Sequence, residues 1–106
     1  MTGKHSVYVV ELDPVVMESK KFREANPNSN PSMPCVYVGM TGLTPEQRFA
    51  NHKAGRKANR YVQRYGLHLL PDLYAQLNPL TFDEAEAMEQ KLAAQLRTMG
   101  YAVWQA

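Results

Sequence analysis

VYVGMTGLTPEQRFANH, residues 36–52, reads as a strand that turns sharply into a helix, and this unit decides the fold. Its opening is β-branched and aromatic, which suits a pleated, buried strand, expected over 35–39. Gly39 and Gly42 relax the backbone for the exit. Thr44 can cap a helix, Pro45 fits the first helical position, and Gln47 completes a capping-box pattern. The helix is expected to reach Lys53 or Ala54 and to end near Gly55. Arg48 and His52 lie four residues apart, so they share a face with Cβ atoms about 5–6 Å apart. Phe49 is the only bulky apolar residue in this helix, which therefore offers the core little besides one ring. A solvated polar face and a face turned toward a ligand both account for the pair.

Working outward, SVYVVEL at Ser6–Leu12 reads as a first strand with both faces largely covered, closed by Asp13 and Pro14. One helical piece is expected over 15–25. Residues 26–34, ANPNSNPSMP without its alanine, carry prolines and asparagines that favour turns, so a mobile loop is expected there. A second helical piece is expected over 58–65, stopping at Gly66. Residues 68–76 allow a strand that Pro71 confines to an edge or a bulge. The clearest element is the last helix, with Thr81 as cap and Glu84 closing a second capping box, persisting to about Met99. Gly100 ends it, and 101–105 (YAVWQ) is the final strand.

A chain of 106 residues fits one domain with a core large enough to stand without disulfides or structural metal. The single Cys35 has no intramolecular partner, which favours a reducing compartment. No apolar signal core precedes the first strand, and no run approaches the ~20 apolar residues of a membrane span. A cytoplasmic protein without membrane association is the expectation. The net charge of +2 says little, but its distribution says more. Residues 47–71 contain no acidic residue, while Arg48, Lys53, Arg56, Lys57, Arg60 and Arg64 all fall there. Such a cluster suits a polyanion, and equally an ordinary solvated surface.

On a helical wheel the last helix gathers Met88, Met99, Leu92, Ala85, Leu96, Phe82 and Ala93 into one apolar sector. Glu89 falls inside that sector. A carboxylate among core residues is costly unless it is paired, protonated or bound to a metal. It reads either as a glutamate partly exposed at a groove or paired with a nearby arginine, or as a metal ligand or acid/base facing a cleft. Tyr8 and Tyr37 occupy similar positions in similar strands, and Tyr8 shares a face with Val10 by the two-residue period. Each feature alone is compatible with a plain core role.

The ordered set of a V-Y strand, a Y-V-G strand followed by Thr41, a helix bearing R-x-x-x-H and a later helix bearing A-x-x-x-E-x-x-L resembles the GIY-YIG endonuclease superfamily. The motif halves stand here as Ser6-Val7-Tyr8 and Tyr37-Val38-Gly39, and the family's later positions match Arg48, His52 and Glu89. The resemblance covers nearly the whole chain, residues 1–106 as a single domain. It departs from the family in two places. Serine stands for the first glycine, and the segment between the tyrosines is much longer, with an insertion at 13–34. A loop absorbs such length at modest entropic cost, since doubling it adds only ~0.6 kcal/mol.

The resemblance implies a small α/β domain of the α+β type, its mostly antiparallel sheet flanked by helices. It implies a divalent-metal-dependent endonuclease that hydrolyses phosphodiester bonds in DNA. Arg48 would neutralise the phosphate with its planar fork. Glu89 would hold Mg²⁺ or Mn²⁺, for which one or two carboxylates suffice. Tyr8 would act as base on the attacking water, with His52 as the alternative because its intrinsic pKa is closer to neutral. Tyr37 would orient the phosphate or the water. Lys53, Arg56, Lys57, Arg60 and Arg64 would hold the nucleic-acid backbone without reading sequence. The rival readings are a non-catalytic nucleic-acid-binding module on the same fold and an interaction domain using Trp104 and Tyr101 at an oligomer surface.

Overall fold

A computed structural model describes residues 3–106. The two valine-rich segments become strands β1 (Ser6–Leu12) and β2 (Cys35–Thr41), paired antiparallel with Tyr8 opposite Gly39 and Val10 opposite Tyr37. β2 runs two residues past the expected end because Thr41 and Met40 still pair with Ser6 and Val7. A third strand, β3 (Gly66–Leu69), joins the other edge of β1, and β4 (Ala102–Gln105) joins β2 in parallel. The sheet order is β3-β1-β2-β4. The result is an α+β domain with a mixed sheet, antiparallel at two of its three junctions.

Four helices flank it: α1 (Lys20–Ala25), α2 (Pro45–Ala54), α3 (Arg60–Tyr65) and α4 (Phe82–Thr98). The capping boxes expected for α2 and α4 are both formed. The single helical piece expected over 15–25 is divided. A 3-10 turn at Pro14–Glu18 precedes α1, and the extended Ser19 between them caps α1 through its hydroxyl. The strand expected over 68–76 shifts to 66–69. The Leu70 N–H makes its bond to the Val9 carbonyl at 2.9 Å, then Pro71 has no N–H to continue the ladder, and two 3-10 turns follow.

Pairing assigns the faces. Tyr8, Val10, Tyr37 and Trp104 share one face, since Tyr37 pairs with Trp104. Trp104 stacks on Phe22 of α1 and meets the edge of Tyr61 of α3, so those helices cover this face. The same contacts hold the Trp104 ring against the core, with part of it still exposed. Val38 and Gln105 share the other face, and Arg97 of α4 donates to Gln105, so α4 covers that side. Val7, Val9, Val36, Val38 and Val103 are fully buried between the layers. The two ends of the α4 apolar sector are exceptions: Phe82 is 53% exposed and Met99 58%. Phe82 meets the His5 ring edge-on with centroids 5.3 Å apart, and Met99 lies one residue past the end of α4.

Residues 26–34 form neither helix nor strand, as their prolines require, yet they are tethered. Buried Asn26 donates its amide to the Phe22 and Val103 carbonyls and accepts from the Val103 N–H, and the Asn30 N–H bonds the Gly100 carbonyl.

Candidate functional site

Tyr8 lies across Gly39 on the neighbouring strand. A Cβ placed at residue 39 would stand 2.7 Å from the Tyr8 hydroxyl and 2.9 Å from the Tyr37 ring, so only glycine lets both phenols converge here. The sharp turn and the capped start of α2 then bring His52 over them. Tyr8 Oη and His52 Nε2 are 2.8 Å apart. The other ring nitrogen, Nδ1, accepts the Asn59 N–H at 3.0 Å. A neutral imidazole bonded in this way carries its one proton on Nε2, and it donates that proton to Tyr8.

His52 is completely buried, and burial, helped by the positive charge of Arg48, lowers its pKa to about 4. It is neutral at pH 7. With Nδ1 occupied and Nε2 protonated, both ring nitrogens are engaged, and the ring holds the Tyr8 hydroxyl. Burial pushes the Tyr8 phenol far above its ordinary value, Tyr37 adds to the rise, and Arg48 opposes it. Tyr37 is also raised, first by burial and further by the Glu89 charge, with Tyr8 and Arg48 acting against the rise.

Arg48 is half-buried, and its fork donates to the Arg56 carbonyl at 3.2 Å and the Lys57 carbonyl at 2.8 Å. These bonds tie the guanidinium to the loop that leaves α2. That loop turns at Gly55, where the left-handed φ of 84° is open to a residue without Cβ. Glu89 arrives from α4, which covers the opposite face, at the point where β4 stops beside Val38. It is only 7% exposed and has no ion-pair partner among the described residues. Burial raises its pKa, the Gln105 side chain beside it opposes that rise, and Glu86 adds to it.

Tyr8, Tyr37 and His52 therefore form one cluster, with ring centroids 6.1, 6.1 and 5.6 Å apart, and Arg48 and Glu89 bear on it through their charges. Among the described residues no group of three His, Cys, Asp or Glu side chains gathers around a common point. The donor set suits only a cation that takes most of its ligands from water and phosphate. A buried, unpaired carboxylate fits that demand.

Asn59 and Gln105 were not marked by sequence reasoning. Asn59 carried a readable signal, because an asparagine before an apolar helical segment is a strong cap, and its side chain does cap α3. Nothing local marks Gln105.

The basic residues divide. Lys53 Nζ donates to the Gln63 and Gly66 carbonyls, both at 3.0 Å, which closes the end of α3. Arg56, Lys57, Arg60 and Arg64 are exposed and form no ion pair among the described residues. No helix of the described residues is long and apolar enough to cross a membrane. Comparison of the chain with family models, with characterised proteins and with solved structures finds no match in any of the three.

Proposed function

We propose that this chain is a divalent-metal-dependent endonuclease of the GIY-YIG type that hydrolyses phosphodiester bonds in DNA. The observation that carries the reading is the buried Tyr8–His52 hydrogen bond with the Arg48 charge acting on both partners. Two phenols, a neutral imidazole and a guanidinium at one point make a poor apolar core and a suitable cradle for a reacting phosphate.

In this mechanism Arg48 offers its fork to the non-bridging oxygens, where negative charge grows during attack. Tyr8 first loses its phenol proton to solvent; the phenolate Oη then takes a proton from the attacking water as that water bonds to phosphorus, and the leaving oxygen departs with its electron pair and is protonated by solvent. The His52 Nε2–H bond to Oη is strongest in the phenolate, which favours the ionised form that burial disfavours. Tyr37 orients the phosphate or the water. Mg²⁺ or Mn²⁺ held at Glu89 supplies further positive charge beside the phosphate when bound. The exposed arginines and Lys57 hold the strand by its backbone.

The test is cleavage of duplex, branched and single-stranded DNA by purified protein with Mg²⁺ or Mn²⁺. Arg48→Ala and Glu89→Gln are each expected to lower the rate about 100-fold or more, with the fold retained by circular dichroism. Full activity in either variant removes that residue from the site. A second reading, a non-catalytic nucleic-acid-binding module, is favoured by the engagement of the Arg48 fork with two backbone carbonyls. Salt-dependent DNA binding without cleavage of any of these substrates would establish it.

A further inference from the structure

The inserted segment does more than lengthen a loop. Its 3-10 turn and α1 lie against α3, and the two walls enclose a groove of about 290 Å³. Lys21 comes from the insertion, Arg60 and Arg64 come from α3, and Glu18 is the one carboxylate lining it. The walls are joined by the Ser19 and Tyr61 hydroxyls, 3.0 Å apart, so the groove is built by packing. None of its three cations forms an ion pair among the described residues.

We propose that this groove, made jointly by the insertion and α3, binds the phosphate backbone of one DNA strand leading away from the candidate site. The inference rests on the endonuclease reading. Continuity supports it: the Arg48 fork is bonded to the carbonyls of Arg56 and Lys57, and the chain proceeds from there directly into Arg60. Arg60 and Arg64 stand four residues apart on one face of α3, and Lys21 faces them from the other wall, so each can meet a separate phosphate of a strand lying in the groove.

The occupant is backbone, not bases. Tyr61 has its ring against Phe22 and Trp104, with centroids at 5.5 and 4.9 Å, and the Arg64 guanidinium sits 5.3 Å from the Tyr65 centroid. Tyr61 is therefore held against the core, and Arg64 lies over one face of Tyr65.

The experiment measures binding of labelled, mixed-sequence single-stranded DNA across a salt series, with EDTA present to prevent cleavage. For each phosphate contact removed, the slope of log K against log salt is expected to become shallower by ~0.7. Lys21→Ala should show one such step, and Arg60→Ala/Arg64→Ala two. Glu18→Gln should tighten binding, and Lys91→Ala on α4 should leave the slope unchanged. Lys21, Arg60 and Arg64 are exposed, and Lys21→Glu provides a second variant of opposite charge that should weaken binding further. Unchanged slopes in the Lys21 variants, with the wild type still binding and cutting DNA, overturn this inference and leave the endonuclease reading standing. A wild type that neither binds nor cuts DNA overturns both. Equal competition by polyglutamate at matched charge also overturns the proposal, because it assigns the groove to acidic polypeptide.

Discussion

At Tyr8 the chemistry depends on what surrounds one oxygen. The His52 proton points at it, Gly39 leaves room for its ring, and burial holds it as the neutral phenol. Gly39→Ala is expected to force Tyr8 and Tyr37 apart and to cost about 1–3 kcal/mol, read by urea denaturation, with a larger loss of cleavage than of stability. Because Tyr8 is protonated at neutral pH, the single-turnover cleavage rate should climb on the alkaline side. A profile flat from neutral to alkaline pH would remove Tyr8 as the base. His52 makes a prediction for stability. Its folded pKa, about 4, lies below the unfolded 6.5, so the unfolded chain takes up the proton first as pH falls. Its contribution is complete above about pH 6.5 and is lost toward about pH 4, on the order of 3 kcal/mol in all. Glu89 acts in the opposite sense, since burial raises its carboxyl and the fold then binds that proton before the unfolded chain does. The His52 part is isolated by denaturing wild type and His52→Phe at several pH values. The variant should lack the acid-side loss.

The helices show which elements could be read locally. In α2 the Thr44 hydroxyl accepts the Gln47 N–H and the Gln47 side chain accepts the Thr44 N–H, both at 3.1 Å, and in α4 the Thr81 hydroxyl and the Glu84 carboxylate accept each other's N–H at 3.2 and 2.8 Å. Both starts were legible because a cap is a pattern within four residues. Thr44→Ala is expected to cost about 1 kcal/mol and to loosen the aim of Arg48 and His52. α3 was read to within two residues of its start, with its stop at Gly66, whereas the short turns after it were not, because propensity is weak at that length. Lys53 illustrates the difference between a cation in the sequence and a cation in the fold. Its ammonium closes α3, so Lys53→Met should lower stability by about 1 kcal/mol while leaving the salt slope of DNA binding unchanged. A slope reduced as in the Arg64 variant would return Lys53 to the DNA-contacting set.

Across the whole molecule, the insertion and the last strand depend on each other. β4 is an edge strand, and Asn26 satisfies its exposed side by accepting from the Val103 N–H at 2.7 Å and donating to the Val103 carbonyl at 3.0 Å. Asn26→Ala leaves that buried N–H without a partner. The expected cost is about 1–3 kcal/mol by denaturation, together with a greater tendency to aggregate through the opened edge. This pair, 77 positions apart, also explains why residues 26–34 are tethered although their composition reads as free loop.

The sequence by itself determined the two capped helices and the paired valine strands, because each is written in spacings of a few residues; the five candidate site residues came together only through the family resemblance. Only the tertiary structure decided that β4 runs parallel to β2, that Trp104 packs against Phe22 and Tyr61, that His52 donates to Tyr8 and that Lys53 bonds the carbonyls at the end of α3. Those outcomes rest on contacts between distant parts of the chain: Tyr8 and His52 are 44 positions apart, and the register of the sheet sets which atoms meet. The R-x-x-x-H spacing in VYVGMTGLTPEQRFANH puts Arg48 and His52 on one face. It takes the backbone of Asn59, packed against the ring from the next turn of chain, to say which nitrogen of His52 holds the proton.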